Sequence, residues 1–176
     1  MFMAQIQNVP PWEPVTGIFS TGCLHRNPEE YKECIKQFAV ESNRRYRWEV
    51  GQTYCNIFVA DCLGALGCPI PHVTELDGPL NANKIADWLT KYGAKNGWQE
   101  IDRGNAKVYA DVGQPTIAIF RNVPPGRGHI AMVLPTDPNR PGDTLIAQAG
   151  MSNFFGEPIE KGFDIYLPQT KFYTHP

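Results

Sequence analysis

Cys55 is the side chain of this sequence that is best placed for nucleophilic chemistry. It lies near the start of TYCNIFVADCL, residues 53–63, where an apolar helical pattern begins. Thr53 is a suitable N-cap and puts Cys55 at about the second helical position, among unpaired N–H groups and the positive end of the helix dipole. Such a setting lowers the pKa of a thiol and stabilises an oxyanion. A buried structural cysteine is the alternative interpretation.

A thiol nucleophile needs a general base, and His129 is the best placed of the four histidines. It begins the strand-like segment HIAMVL and follows Gly126-Arg127-Gly128, where the glycines allow a substrate to approach closely. A base held on a rigid strand beside a helix start is typical of Cys–His chemistry. A strand-end histidine bonded to a loop carbonyl is the alternative. The other three lie in irregular segments or near the C-terminus: His25, His72 and His175.

Gln148 is predicted to orient the base. On an antiparallel meander, the strand that follows His129 lies beside it, and Gln148 is the polar residue of IAQA, residues 146–149. Because an unpaired buried amide is costly, its side chain needs a partner, either the far ring nitrogen of His129 or a turn carbonyl. Asp137 and Asn153 are weaker candidates, since both lie in predicted loops.

The elements that position these residues follow from periodicity and from helix-start and turn signals. The predicted helices cover residues 28–45, 53–66, 83–92 and 105–112. The predicted strands cover residues 98–101, 116–121, 129–134, 144–149, 164–167 and 171–173. Helices first and sheet second predict an α+β domain whose antiparallel sheet packs on the helix that carries Cys55.

Composition indicates a single globular domain over residues 1–176, with 42% hydrophobic and 19% charged residues. A formal charge of -2 argues against a nucleic-acid partner, and the cluster of Arg44, Arg45 and Arg47 is predicted to be a solvated helix end. The sequence shows no secretory signal at its start and no apolar run long enough for a membrane span.

The five cysteines do not predict a complete disulfide framework, because their number is odd. A single bridge between Cys23 and Cys34 remains an alternative, whereas Cys62 and Cys68 are predicted to be core and loop residues. The absence of a C-x-x-C pair argues against a zinc site. Four large aromatic residues are predicted to pack rather than to line a groove: Trp12, Trp48, Phe154 and Phe155.

A helix-borne cysteine, a strand-borne histidine after a glycine loop and a polar residue on the next strand occur here in an order that resembles the papain-like NlpC and CHAP superfamily. Its members are peptidoglycan-cleaving cysteine peptidases and amidases. The matching segments are TYCNIFVADCLGALGCPIP, NANKIADWL, GQPTIAIF, GHIAMVLP and LIAQAG, within residues 52–156. Residues 1–50, an N-terminal extension and the first helix, lie outside the resemblance.

The resemblance implies a papain-like fold, with N-terminal helices packed on a C-terminal antiparallel sheet and the nucleophile at a helix N-terminus. It implies that Cys55 is the nucleophile, His129 the general base and Gln148 the third residue, with no metal or organic cofactor. The chain departs from the family at Tyr54, where many members have Asp, and at Gln148, where His, Asn or Glu is more usual.

The chain is similar in particular to phage lysins and to type VI-secreted amidase effectors. The implied activity is cleavage of an amide bond in the peptide stem of peptidoglycan, by an amidase or endopeptidase. Without a secretory signal, a specialised secretion machine or cell lysis would deliver the protein, and an injected effector would require a cognate immunity protein. Two other functions stay open: Cys–His acyl transfer or deamidation on a protein side chain, and a non-catalytic binding domain.

Overall fold

The computed structural model describes residues 6–10, 12–15, 19–20, 26–49, 51–74 and 78–176, which form an α+β fold. The helices are α1 (Pro28–Lys36), α2 (Cys55–Ala65), α3 (Ala82–Tyr92), α4 (Arg103–Asp111) and α5 (Ile159–Phe163). The strands are β1 (Val73–Thr74), β2 (Gly78–Pro79), β3 (Gln99–Ile101), β4 (Thr116–Phe120), β5 (His129–Val133), β6 (Leu145–Gln148), β7 (Phe154–Pro158) and β8 (Lys171–Thr174). The predicted α+β class is confirmed.

Strands β3 to β8 form one antiparallel sheet in the order β3-β8-β4-β5-β6-β7. Strands β1 and β2 form a separate two-stranded ladder between α2 and α3, where neither a helix nor a strand is predicted. Helix α2 packs on β5 and β6, so the predicted packing of the sheet on the Cys55 helix is confirmed. Among the described residues, the structure contains no helix that is both long and apolar enough to cross a membrane.

Helix α2 is buried on almost every side. All of its residues except Asn56 and Gly64 are buried, as expected for a helix that is apolar all round. The chain leaves the helix through Gly67, whose φ of 71° lies in the left-handed region that glycine adopts without strain. The apolar helical pattern predicted over residues 53–66 therefore corresponds to a buried helix.

Helix α1 begins where predicted but ends earlier. Its N-cap Asn27 accepts hydrogen bonds from the N–H groups of Glu29 and Glu30, at 2.8 and 3.2 Å. The prediction of a helix to residue 45 is wrong, because α1 ends at Lys36 and Ala39 adopts a φ of 44°. Residues 44–46 then form a separate 3-10 turn. No glycine or proline marks this break in the sequence.

The C-terminal segment also differs from its prediction. Residues 164–167 belong to a 3-10 helix, Asp164–Gln169, and not to a strand. Strand β7 and helix α5 precede it and were not predicted. Strand β7 pairs with β6, and helix α5 packs against β6.

The strand register places the predicted base and its partner on one face of the sheet. Met132 pairs with Ala147 across β5 and β6. Continued by one step, this register sets Gln148 opposite Ala131, two residues from His129. Residues two apart on a strand share a face and come within reach of a diagonal neighbour, so the Gln148 amide lies on the His129 side of the sheet.

Candidate active site

Cys55 is the first residue of α2 and is only 3% exposed. Tyr54 occupies the N-cap position without a capping side-chain bond, so the predicted N-cap role of Thr53 is wrong. The backbone N–H groups of Asn56 and Ile130 donate hydrogen bonds to the Cys55 sulfur. Because no side chain caps the helix, the first-turn N–H groups that do not bond the sulfur stay available to a ligand or an oxyanion.

His129 lies between the thiol and the amide. Its Nε2 is 2.7 Å from Oε1 of Gln148. A second hydrogen bond joins the His129 ring to the Cys55 sulfur, which leaves Nδ1 as the ring nitrogen that faces the thiol. The ring of Phe163 packs against the imidazole with a centroid separation of 4.9 Å. Two polar partners and one aromatic neighbour therefore fix the orientation of the imidazole.

The Gln148 amide is satisfied at both ends. Its carbonyl oxygen faces His129, and its Nε2 donates to the Ser152 carbonyl at 3.1 Å. The Ser152 carbonyl can only accept a hydrogen bond, so the amide nitrogen must face it and the amide oxygen must face the imidazole. Gly162 makes room for this arrangement, because a Cβ there would collide with the Gln148 oxygen.

The electrostatics of the pair favour the thiolate and the imidazolium. Burial by itself raises the pKa of the Cys55 thiol, but the hydrogen bond and charge of His129, with two backbone N–H donors, bring that pKa below its usual value. Burial likewise lowers the pKa of His129, yet the bonds to Cys55 and Gln148 raise it above the usual imidazole value. Both shifts stabilise the charged, nucleophilic form of the sulfur.

The other candidates lie elsewhere. The Asp137 carboxylate accepts from Asn139, and Asn153 bonds to backbone groups, so neither contacts His129. His72 lies 3.7 Å from the Asp61 carboxylate. Burial lowers the pKa of His72, which keeps its ring neutral near pH 7. His25 and Cys23, with the alternative bridge to Cys34, lie outside the described residues. Cys62 is buried in α2, as predicted for a core residue. Cys68 lies in a loop, as predicted, and is buried as well.

An open cleft of about 570 Å³ begins at the thiol. This volume falls within the range of ligand sites, about 300 to 1,000 Å³. The cleft is lined by Trp12 and by residues 51–57, 79–83 and 125–128. The prediction that Trp12 packs is wrong, because it is 57% exposed at the cleft wall.

Asn83 holds the loop that precedes His129. Its Oδ1 accepts from the N–H of Asn122 at 2.8 Å, and its Nδ2 donates to the Gly126 carbonyl at 2.9 Å. A Cβ at Gly128 would collide with the Asn83 oxygen and with the Phe120 carbonyl. Asn83 had no role in the sequence prediction, although it belongs to NANKIADWL, one of the segments that carry the resemblance.

Arg45 is buried, so the prediction of a solvated arginine cluster is wrong for this residue. Its guanidinium forms a two-point ion pair with Asp61 of α2, at 2.7 and 3.2 Å, and Tyr46 donates to the same carboxylate at 2.8 Å. The remaining guanidinium hydrogens bond to three backbone carbonyls of the N-terminal segment: Val9, Pro10 and Glu13. The segment that carries Trp12 is thereby tied to the Cys55 helix.

In comparisons with known proteins, no family model matches the chain and no curated protein is significantly similar to it.

Proposed function

We propose that this chain is a cysteine amidase or endopeptidase of the papain-like NlpC/CHAP type, which cleaves an amide bond in the peptide stem of bacterial peptidoglycan. The observation that carries the proposal is the hydrogen-bonded series Cys55–His129–Gln148 beside an open cleft. A thiol at a helix start, an imidazole on a strand and an orienting amide beyond it are the parts that Cys–His hydrolysis needs. The choice of peptidoglycan rests on the sequence resemblance.

The first half of the reaction acylates the sulfur. The Cys55 thiolate attacks the amide carbonyl carbon, and the resulting oxyanion accepts hydrogen bonds from free N–H groups at the start of α2. The C–N bond then breaks as the imidazolium of His129 donates its Nδ1 proton to the leaving amine. The products of this half are a free amine and a thioester on Cys55.

The second half releases the acid. A water molecule enters the cleft, His129 removes one of its protons, and the hydroxide attacks the thioester carbonyl. The C–S bond breaks, the carboxylic acid leaves, and the thiolate and imidazolium are restored. Throughout, Gln148 keeps Nδ1 directed at the sulfur, because it accepts the hydrogen bond from Nε2.

The test is digestion of purified peptidoglycan, with mass spectrometry of the released fragments. Wild type is expected to release stem-peptide fragments, while Cys55→Ala and His129→Ala lose at least about a thousandfold in rate, the scale of removing a nucleophile or its base. Cys62→Ala is the matched control, because it removes a second buried cysteine two turns further along the same helix.

Each result separates the open functions. Equal release by wild type and both site variants would show that the Cys–His mechanism is wrong. If wild type leaves peptidoglycan intact while iodoacetamide alkylates Cys55 rapidly, acyl transfer or deamidation on a protein side chain replaces hydrolysis of the cell wall. If Cys55 is also inert to iodoacetamide, the chain is a binding domain.

A further inference from the structure

The cleft beside Cys55 contains an unusual distribution of charge. Among the described residues that line it, Arg127 is the only basic one, and apart from the Cys55 thiol no acidic side chain accompanies it. Arg127 is exposed, and within the described part of the chain its guanidinium has neither a carboxylate partner nor a hydrogen bond. By contrast, Arg103, Arg121 and Arg140 each bond to a carboxylate. Among the described residues, the cleft therefore presents one cationic side chain that has no carboxylate partner.

The backbone that carries Arg127 is held in place. The Asn122 side chain donates to the Arg127 carbonyl at 3.2 Å, and Asn83 bonds to the Gly126 carbonyl at 2.9 Å. Glycines on both sides allow this packing, because a Cβ at Gly126 would collide with Asn122 and one at Gly128 with Asn83. The loop is thus fixed while its charged side chain is left free to meet a ligand.

Arg127 lies close to the reacting residues in the chain and in the cleft. Arg127 is two residues from His129 in the chain, so their Cα atoms are at most about 7 Å apart. Cys55 and Arg127 line the same cleft. A guanidinium offers two parallel N–H donors that match the two oxygens of a carboxylate. An anion that binds there lies next to the amide that the sulfur attacks.

We propose that Arg127 forms a carboxylate-binding subsite, which selects peptides that carry a free carboxylate beside the scissile amide. That the ligand is a stem peptide rests on the proposed function. That the cleft binds a carboxylate rests only on the geometry of the cleft. A stem carboxylate and its carboxamide have nearly the same shape but differ by one charge, so the subsite separates them by electrostatics.

The first experiment does not depend on the natural substrate. Iodoacetate and iodoacetamide alkylate the same sulfur and differ in charge, so the ratio of their second-order rates at Cys55 reports a nearby cation. Arg127→Gln is expected to lower the iodoacetate-to-iodoacetamide ratio about fivefold, the scale of an exposed charge contact. Arg127→Lys keeps the charge and is expected to stay within about twofold of wild type.

The matched control is Arg140→Gln. Arg140 lies in the loop between β5 and β6, at the opposite end of β5 from His129, and does not line the cleft. The same chemical change there is expected to leave the ratio unaltered. If Arg127→Gln gives the wild-type ratio, or if Arg140→Gln lowers it equally, the subsite is overturned.

The second experiment uses synthetic stem peptides with a carboxylate or a carboxamide beside the scissile bond. Wild type is expected to favour the carboxylate in kcat/KM by about fivefold, and Arg127→Gln to lose that preference while it still cleaves the carboxamide. If wild type cleaves neither peptide, the proposed function fails, whereas the alkylation ratio still decides the subsite. If wild type cleaves both peptides equally well, the subsite fails and the proposed function stands.

Discussion

At the scale of single residues, the site depends on one proton, which is shared between the Cys55 sulfur and the His129 ring. The Cys55 sulfur and the His129 ring are already hydrogen-bonded, and Gln148 accepts the hydrogen bond from the far nitrogen. A neutral amide orients the imidazole without adding a negative charge. The positive charge of the imidazolium therefore acts mainly on the sulfur, which is the atom that has to lose its proton.

The pH profile of Cys55 alkylation tests this arrangement. The pKa of the thiol is lowered, so wild type is expected to react with iodoacetamide at pH 6 to 7, where an ordinary thiol, with a pKa of about 8.5, loses about tenfold in rate per pH unit. In His129→Ala the imidazolium is gone and burial raises the pKa of the thiol, so the profile moves to higher pH. Peptide mapping identifies Cys55 as the alkylated residue.

Gln148→Ala gives an intermediate result if the amide has the proposed role. Its hydrogen bond raises the pKa of His129, so without it the imidazolium is less stable and the alkylation midpoint moves up, though by less than in His129→Ala. Gln148→Glu adds a negative charge, which raises the pKa of His129 further but offsets the imidazolium charge that acts on the sulfur, so the alkylation midpoint also moves up. A wild-type midpoint at the ordinary thiol value, unchanged in all three variants, would contradict the ion-pair arrangement.

At the scale of elements, the loop between β4 and β5 links the base to α3. Asn83 is the second residue of α3, and its side chain forms two of the hydrogen bonds that hold this loop. The neighbouring Asn81 makes a different kind of contact, since it caps α3 by accepting from the Lys84 N–H at 3.0 Å. Substitution of Asn83 therefore tests support of the loop, and substitution of Asn81 tests capping of the helix.

Asn83→Ala is expected to loosen residues 122–128 without unfolding the protein. Two lost hydrogen bonds correspond to about 1–3 kcal/mol of stability, and the backbone amides of the loop should exchange hydrogen faster. Asn81→Ala is the matched control, with a cap loss of about 1 kcal/mol and no change of exchange in the loop. Hydrogen exchange read by mass spectrometry measures both; equal exchange in the loop of both variants would contradict the role of Asn83.

Local signals predicted most elements because their causes lie within a few residues. Asn27 caps α1, and Gly67 ends α2, as their sequence neighbours indicate. The errors occur where tertiary contacts decide the conformation. The chain turns at Ala39 without a glycine or proline, and Asp164 begins a 3-10 helix in a segment whose apolar pattern is typical of a strand.

Cys55, His129 and Gln148 are each predicted from a local signature, and the structure brings the three side chains together. Asn83 and Trp12 were missed because their roles depend on which loops meet at the cleft. The strand register that brings Gln148 to His129 is also a tertiary property, so the sequence supported the pairing only through the order of the strands.

At the scale of the whole molecule, a buried ion pair joins the N-terminal segment to α2, the helix that carries Cys55. Both side chains of the Arg45–Asp61 pair are fully buried. Tyr46 and three backbone carbonyls complete the hydrogen bonds of the pair. A buried charge is tolerated only when it is paired and hydrogen-bonded. The Arg45–Asp61 pair therefore fixes the position of Trp12 relative to Cys55. The stability of the fold in turn depends on this pair.

Asp61→Asn is expected to destabilise the protein strongly, since it leaves the Arg45 charge buried without a carboxylate. Breaking one partner of such a pair costs about 3–5 kcal/mol, measured as the free energy of unfolding in urea. Asp87→Asn is the matched control, because Asp87 pairs with Arg121 at the surface, where solvent and salt screen the charges. If both substitutions lower the free energy of unfolding by the same small amount, the buried pair does not anchor the N-terminal segment. A large loss for Asp61→Asn alone supports the anchor, and a faster hydrogen exchange at residues 9 and 13 than in Asp87→Asn locates its effect beside the cleft.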